Sequence, residues 1–448
     1  MKKQFLLILI CWGGTLFSLS AQSLIYQEDK RTLGGYVRTS AYGAGSKFDY
    51  ATTFVEGKFN ADITKGFSEG YAFFKADVRL RDGQFFGVNQ TQLEIKDLYA
   101  GFRNDKFELT LGNQSIQWGR GIGANPTNNL TPTNGFFLTA NGSDQNLSNF
   151  MLRAKYSINP NLEWEVVGVP MYKASIVRLD LLSLPSGVNP GSQTLPGQKF
   201  KDGSIATRLN VNLGPIGGSV SYFNGYNSQP AVVPGATSTG LYANLESFHK
   251  QTFGVDFGTR IGGHSDGTLD ASNDALILSE IGYDKIDNPT NAAWVPQSNL
   301  TYTLGMVKMW FNKYKLDKLT LVASYVGKYT PNYITAVAPT DYTDPDFGTK
   351  ILNYSQRDLT QALFGQQKAI THSVICNVSK TLDKGKYELS AVGMYNFTVG
   401  NSMFSPRASW NVTKNLNTTV GGFYLFGPGT QVVSPVMNGL FAELKYSF

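Results

Sequence analysis

Cysteine, histidine and charge are all scarce in this chain, and each shortage excludes something. Cys11 lies in an apolar N-terminal stretch and Cys376 is the only other cysteine, so no disulfide framework can staple the mature fold. His249, His264 and His372 are scattered and give no metal-ligand spacing. His372 and Ser373 are the one adjacent base and nucleophile, but neighbours on a strand point to opposite faces and cannot touch. No catalytic and no metal residues are therefore assigned, and an enzyme is the weakest reading. Charged residues make up 16% of the chain, against roughly a quarter in soluble domains. The formal net charge of +6 is too small to suggest nucleic acid as a partner. Beyond the N-terminus no apolar run approaches the length of a spanning helix. The Asp-rich stretch PTDYTDPDFGT at 339–349 lacks EF-hand spacing.

What is present begins with MKKQFLLILICWGGTLFSLSAQS. Lys2 and Lys3, an apolar run from Phe5 to Leu19 and the small pair Ser20-Ala21 form a secretory signal peptide, 1–21, cleaved after Ala21. Cleavage removes Cys11 and two lysines, lowering the net charge from +6 to +4, and leaves 22–448 as a single domain. The full chain is rich in aromatics (13%) and contains 47 glycines. An exported, aromatic-rich, charge-poor chain without membrane helices predicts an all-β fold, a transmembrane antiparallel β-barrel in an outer membrane.

The barrel must show apolar and polar residues in alternation over about ten residues. In EGYAFFKADVRLR (69–81), Ala72, Phe74, Ala76, Val78 and Leu80 oppose Lys75, Asp77, Arg79 and Arg81. NFMLRAKYSI, SIATRLNVNL and HKQTFGVDFGTRI repeat the pattern, and helical periodicity appears over no comparable length. Tight turns such as RNDK (103–106), LGPI (213–216) and LDKGK (382–386) alternate with long polar stretches at 119–148, 171–199, 227–245 and 329–366. Short periplasmic turns and long extracellular loops account for this alternation. Eighteen strands fit, the first at 31–42, the fifth at 105–118 and the last at 436–448. Sixteen is the alternative, because the connection between 246–261 and 272–284 is long for a periplasmic turn.

Two stretches carry resemblances. MNGLFAELKYSF ends on an alternating strand with Tyr446 and a C-terminal Phe448, and resembles the terminal signal of bacterial outer-membrane proteins. That resemblance implies the barrel-assembly machinery as a partner. IKDLYAGFRNDKFELTLGNQSIQWGRGIGANPTNNLTP (95–132) resembles a two-strand unit of porin-like outer-membrane families. Asp97 and Tyr99 match its acidic-x-Tyr strand. Gly112, Gln114, Ile116, Trp118 and Gly119 match the G-x-Q-x-I-x-W-G part of L-x-G-x-Q-x-I-x-W-G, with Leu111 directly before the glycine, and Asn125-Pro126 follows. It implies a porin-like channel for passive diffusion of small hydrophilic solutes, without naming the solute. The alternative is a non-conducting surface barrel of the capsule-assembly type that binds polysaccharide, for which Trp- and Asn-rich loops suit glycan contact. A homotrimer is compatible with a porin, but no feature establishes it. No cofactor is implied. With strands beginning near residue 31, no folded plug of the TonB-dependent kind is expected before them.

Register assigns the site. Phe107, Leu109 and Leu111 face lipid, while Gln114, Ile116, Trp118 and Arg120 continue the lumen-facing register unless a bulge at Gly112 changes it. Without a bulge Trp118 packs under an inward-folding loop 119–148; with one it joins the outer aromatic girdle. Gly119, Gly121 and Gly123 favour the inward turn. Asp97 shares parity with Leu93 and Ile95, so unbroken alternation aims a carboxylate at lipid, which is costly. A register change beside it is expected. Lumen-facing charges of both signs run from Arg38 to Lys445 and are expected to pair for the most part. Lys75, Asp77, Arg79, Arg81, Arg120, Arg153 and Arg208 are the pore-lining candidates. Arg79 and Arg81 have few acidic neighbours in sequence, so they are expected to stay unpaired and give an anion preference.

Overall fold

A computed structural model describes residues 29–448 apart from 46–49, 182–183, 185–187, 197–198, 238–239, 263–273, 312–316 and 429–433. The segment read as an export signal, His264 and most of the long connection after 246–261 lie outside the described residues.

The strands in chain order are β1 (Lys30–Ala44), β2 (Tyr50–Phe67), β3 (Gly70–Phe85), β4 (Val88–Arg103), β5 (Phe107–Gln114), β6 (Asn149–Asn159) and β7 (Leu162–Val169). Then follow β8 (Val188–Thr194), β9 (Ser204–Leu213), β10 (Ile216–Tyr226), β11 (Ala231–Thr237), β12 (Gly240–Glu246), β13 (His249–Ile261) and β14 (Ala275–Ile286). The last are β15 (Asn299–Phe311), β16 (Lys318–Tyr329), β17 (Ile370–Leu382), β18 (Tyr387–Asn396), β19 (Asn401–Asn411), β20 (Leu416–Phe426) and β21 (Gly439–Ser447). All but β8, β11 and β12 form one 18-stranded antiparallel sheet. β1 pairs with both β2 and β21, which closes the sheet into a barrel and leaves no edge. The seam runs to the last residue: Phe448 and Gly35 exchange backbone hydrogen bonds at 3.0 and 3.1 Å.

Alternation dictates which side meets lipid. Leu33, Phe59, Leu80, Leu93, Leu152, Val220, Val255, Leu304, Phe404 and Leu444 stand exposed on the outer face, around the whole circumference. So continuous an apolar band is stable only against hydrocarbon, so the barrel spans a membrane. Trp310, Tyr387, Trp410 and Tyr446 mark the short-turn end of that band, with Tyr387 and Trp410 stacked at 6.3 Å. Turns at this end are tight, as at Gly214, whose φ of 64° suits a residue without Cβ.

Three expectations need correction. The fifth strand stops at Gln114 rather than 118, and residues 115–118 leave the wall. Gly112, with φ of 136°, prepares that exit; a Cβ there would strike the Leu98 carbonyl. Alternation reads the third and fourth strands at 69–82 and 91–104, but they run on to Phe85 and start at Val88, leaving only a two-residue turn, Phe86-Gly87. The long stretches at 171–199, 227–245 and 329–366 are not structureless. They supply the three-stranded sheet β11-β12-β8 and the helix α1 (Phe347–Leu363). Leu179, Val232, Ala243 and Leu245 pack there with Leu359 and Leu363 of α1, forming a layer at the long-loop end.

Candidate functional site in the barrel lumen

The interior is organised by residues 115–148, which fold inward from the end of β5. Their entry is set by the β3–β4 ladder, which slips one residue at Lys96: Asp77 stands opposite Asp97, but Val78 opposite Ile95. This bulge turns Asp97 to the side of Asp77, the lumen, where it accepts from the Ser115 N–H at 3.3 Å. Tyr99, opposite Lys75, follows on the same face, edge-on to Phe73. Gln114 is buried and donates to the Met151 carbonyl at 3.3 Å. Trp118 lies inside at 1% exposure, packed with Ile116, Leu130, Met151, Val167 and Phe223. Its indole N–H donates to Glu165 at 3.2 Å, and the Arg208 guanidinium lies 4.9 Å above its ring.

Three carboxylates clamp this segment. Asp144, the only acidic residue between Glu108 and Glu163, accepts from Arg38 Nη1 at 2.7 Å and Arg79 Nη1 at 2.6 Å. Burial alone would raise its carboxyl, but the two guanidiniums outweigh burial and hold it well below the usual carboxylate range. Its carbonyl also accepts from Lys96 Nζ at 2.7 Å. Glu165 on β7 joins Arg153 at 2.6 Å and Arg208 at 2.7 Å beneath Trp118. Glu280 on β14 accepts from the backbone N–H of Gly121 at 2.5 Å and of Thr127 at 2.8 Å, beside an Arg120–Asp256 ion pair.

Every one of the seven pore-lining candidates has a partner. Lys75 sits 3.6 Å from Asp62, and Asp77 holds Lys58 at 2.8 Å and Arg79 Nε at 3.1 Å. Arg81 pairs with Glu56 and Glu94, while Arg120, Arg153 and Arg208 pair as above. Unpaired Arg79 and Arg81 were expected; their counter-charges come from Asp77 on β3 itself, from Glu56 on β2, Glu94 on β4 and Asp144 of the inward segment. Tyr446 points outward, and Phe448 is exposed at the seam. Among the histidines, His249 contacts Asp287 at 2.7 Å, and His372 bonds Tyr325 on the outer face, away from Ser373.

The opposite wall is different. Ser373, Ile375, Asn377 and Ser379 on β17, Ser390, Val392 and Met394 on β18, and Met403, Ser405 and Ser409 on β19 share the inner face and are half-exposed. Apart from Glu388 at the turn end, Arg407 is the one charged inner-face residue of these three strands among the described residues. It has no carboxylate at ion-pair distance there, and its Nε makes no hydrogen bond. Sequence reading placed Arg407 in the lumen without singling it out; its isolation depends on which residues are not beside it.

No family model matches the chain, and no curated protein matches it in sequence. Solved outer-membrane porins share its fold. OccK11 (OpdR) of Pseudomonas aeruginosa is 12% identical with a TM-score of 0.52, over 93% of this chain and 96% of that one. OprD of Pseudomonas aeruginosa is 9% identical with a TM-score of 0.54, over 95% and 97%. OccAB1 of Acinetobacter baumannii gives 9%, 0.54, 95% and 99%. The chain is similar to these in fold, along nearly its whole length.

Proposed function

We propose that this protein is a porin-like channel of a bacterial outer membrane, passing small hydrophilic solutes by passive diffusion. The observation that carries the reading is the inner face of β17–β19, which the inward segment touches at Ile375, beside Gly123, and whose Ser373, Asn377, Ser379 and Ser405 stay half-exposed. A closed, lipid-girdled barrel with a polar inner face left uncovered is a route for water and solute. The short turns then lie on the periplasmic side and the long loops outside, with residues 1–21 serving as the export signal. Reconstitution of the purified barrel in a planar bilayer is expected to give steady current steps; a folded barrel that passes none overturns the reading. The layer of β8, β11, β12 and α1 at the long-loop end favours a second reading, a capped surface barrel that binds polysaccharide without conducting. The same trace separates the two.

Tyr446 and Phe448 are assigned to assembly. Deleting Phe448 is expected to lower the heat-modifiable barrel in the outer membrane while export continues. Unchanged barrel levels would count against that role.

A further inference from the structure

At the long-loop end the lumen wall forms a half-open cavity of about 330 Å³. Its floor comes from four successive strands: Lys250 on β13, Asp284 on β14, Asn299 and Thr301 on β15, and Lys328 on β16. Its lid is the inward segment, which contributes Asn128. That segment is fixed next door, where the Thr127 N–H donates to Glu280 at 2.8 Å, so the lid is held in place before any ligand arrives.

The polar groups define the guest. Lys250 is neutralised by Asp284, with Nζ 3.2 Å from Oδ1. Asn299 is occupied, donating to the Gln297 carbonyl and accepting from Thr301. Asn125, Asn129, Thr133, Ser175, Asn227 and Gln229 give the wall neutral amides and hydroxyls, and two further groups stand out. Lys328 gives one hydrogen bond, to the Phe364 carbonyl at 2.6 Å, and has no carboxylate at ion-pair distance among the described residues. An ammonium has three donors, so two remain. The buried Asn128 Oδ1 accepts from no described residue. A guest that offers an acceptor to Lys328 and donors to the amides around it, Asn128 among them, suits this lining. A hydroxyl does both, whereas an ionised carboxylate only accepts. The rest of the lining includes Phe248 and Phe364, ring centroids 5.6 Å apart, a surface for an apolar C–H face. The volume lies at the lower bound for small-molecule sites, near the size of one ring.

We propose that this cavity binds a single sugar ring, a monosaccharide-sized polyhydroxylated solute, held by Lys328 and Asn128. The proposal deepens the channel reading by naming a solute class, but binding itself does not depend on conduction. The test is calorimetric titration of the full-length barrel, folded in a sugar-free detergent, with D-glucose and D-galactose, and with acetate as a carboxylate control. Saturable binding of a hexose is expected, with acetate unable to compete. Asn128→Leu and Lys328→Met should each weaken hexose binding by about tenfold, the cost of stranding one buried polar partner. Asn128 makes no side-chain hydrogen bond to any described residue, so its replacement is expected to leave heat-modifiable migration intact and keeps the test valid should Lys328→Met misfold. The proposal is overturned if a folded barrel binds neither hexose, if Asn128→Leu binds like wild type, or if acetate binds as well as the hexoses. A barrel that binds hexose but never conducts sinks the channel reading and leaves this site standing. One that conducts without binding does the reverse.

Discussion

Two walls of the same barrel treat charge in opposite ways. On β1–β4 and β7, Arg38, Glu56, Arg79, Arg81 and Glu165 are all less than a tenth exposed, and each is bound to counter-charges. On β17–β19 the inner face is hydroxyl, amide and thioether with the aliphatic Ile375 and Val392, and one mid-wall arginine stands among them, 5.8 Å from the Phe441 ring centroid. Both walls obey the same period of two and both exclude lipid equally well. What separates them is the inward segment, which brings Asp144 and Trp118 into the first wall, crosses by Glu280 on β14 and meets the other wall at Ile375, beside Gly123. A lumen charge with a counter-charge in reach and no water is a strut. A charge in neutral, wet surroundings contributes to the field a passing ion meets. Counting lumen charges without asking which are struts therefore misplaces selectivity.

The largest effect should come from removing the keystone of the packed wall. Glu165→Ala leaves Arg153 and Arg208 without a described carboxylate partner and takes the acceptor from the Trp118 indole. Uncompensated buried charge costs about 3–5 kcal/mol. Urea titration of the barrel in lipid vesicles should show a loss of that order, and a loss below about 1 kcal/mol would mean that water already reaches the cluster. Asp144→Ala should cost less, about 3 kcal/mol at most, because Arg38 keeps Glu56 and Glu443 and Arg79 keeps Asp77. It should also add open-channel noise by releasing the inward segment. A quiet channel of wild-type stability would remove Asp144 from the clamp.

That contrast also marks what the sequence could disclose. A wall between lipid and lumen forces alternation, so segments such as EGYAFFKADVRLR were readable as strands with the correct face outward. The bulge beside Asp97 was readable for the same reason, since a carboxylate cannot stay in hydrocarbon. Pairing was not. Arg38 and Asp144 are 106 positions apart, and Arg79 and Asp144 are 65 apart, so acidic neighbours in sequence were a poor guide to neighbours in space. The turn-rich composition of 171–199 and 329–366 concealed β8 and α1, whose order comes from packing on each other rather than on the wall. A usable signal did exist for Asp144: a lone acid in a long Asn/Gly/Thr stretch that starts from a lumen-facing tryptophan.

The next prediction sets the two walls against each other. Arg407→Gln removes the isolated charge of the open wall and should move the reversal potential towards cations in a salt gradient. Arg79→Gln with Arg81→Gln removes two charges from the packed wall and should lower stability while leaving the reversal potential where it was. The opposite ranking, with Arg407→Gln silent and the double variant shifting selectivity, would mean that the passage runs along β3 and not along β19.

The smallest expected effect is an absence of one, with pH. Asp144 lies outside the membrane-spanning strands. Burial pushes its carboxyl upward, yet Arg38 and Arg79 outweigh burial and depress it below its unfolded value. A depressed carboxyl binds fewer protons folded than unfolded, so its stabilisation is fully present above the unfolded value, about 3.9. It is lost only as pH falls below that value and through the folded one. The guanidiniums stay charged throughout. Conductance and noise should therefore hold constant from about pH 8 to about pH 5, with the inward segment loosening only in strong acid. Loosening that begins near pH 5 would show Asp144 titrating as an ordinary carboxylate, and would place Arg38 and Arg79 too far away to clamp it.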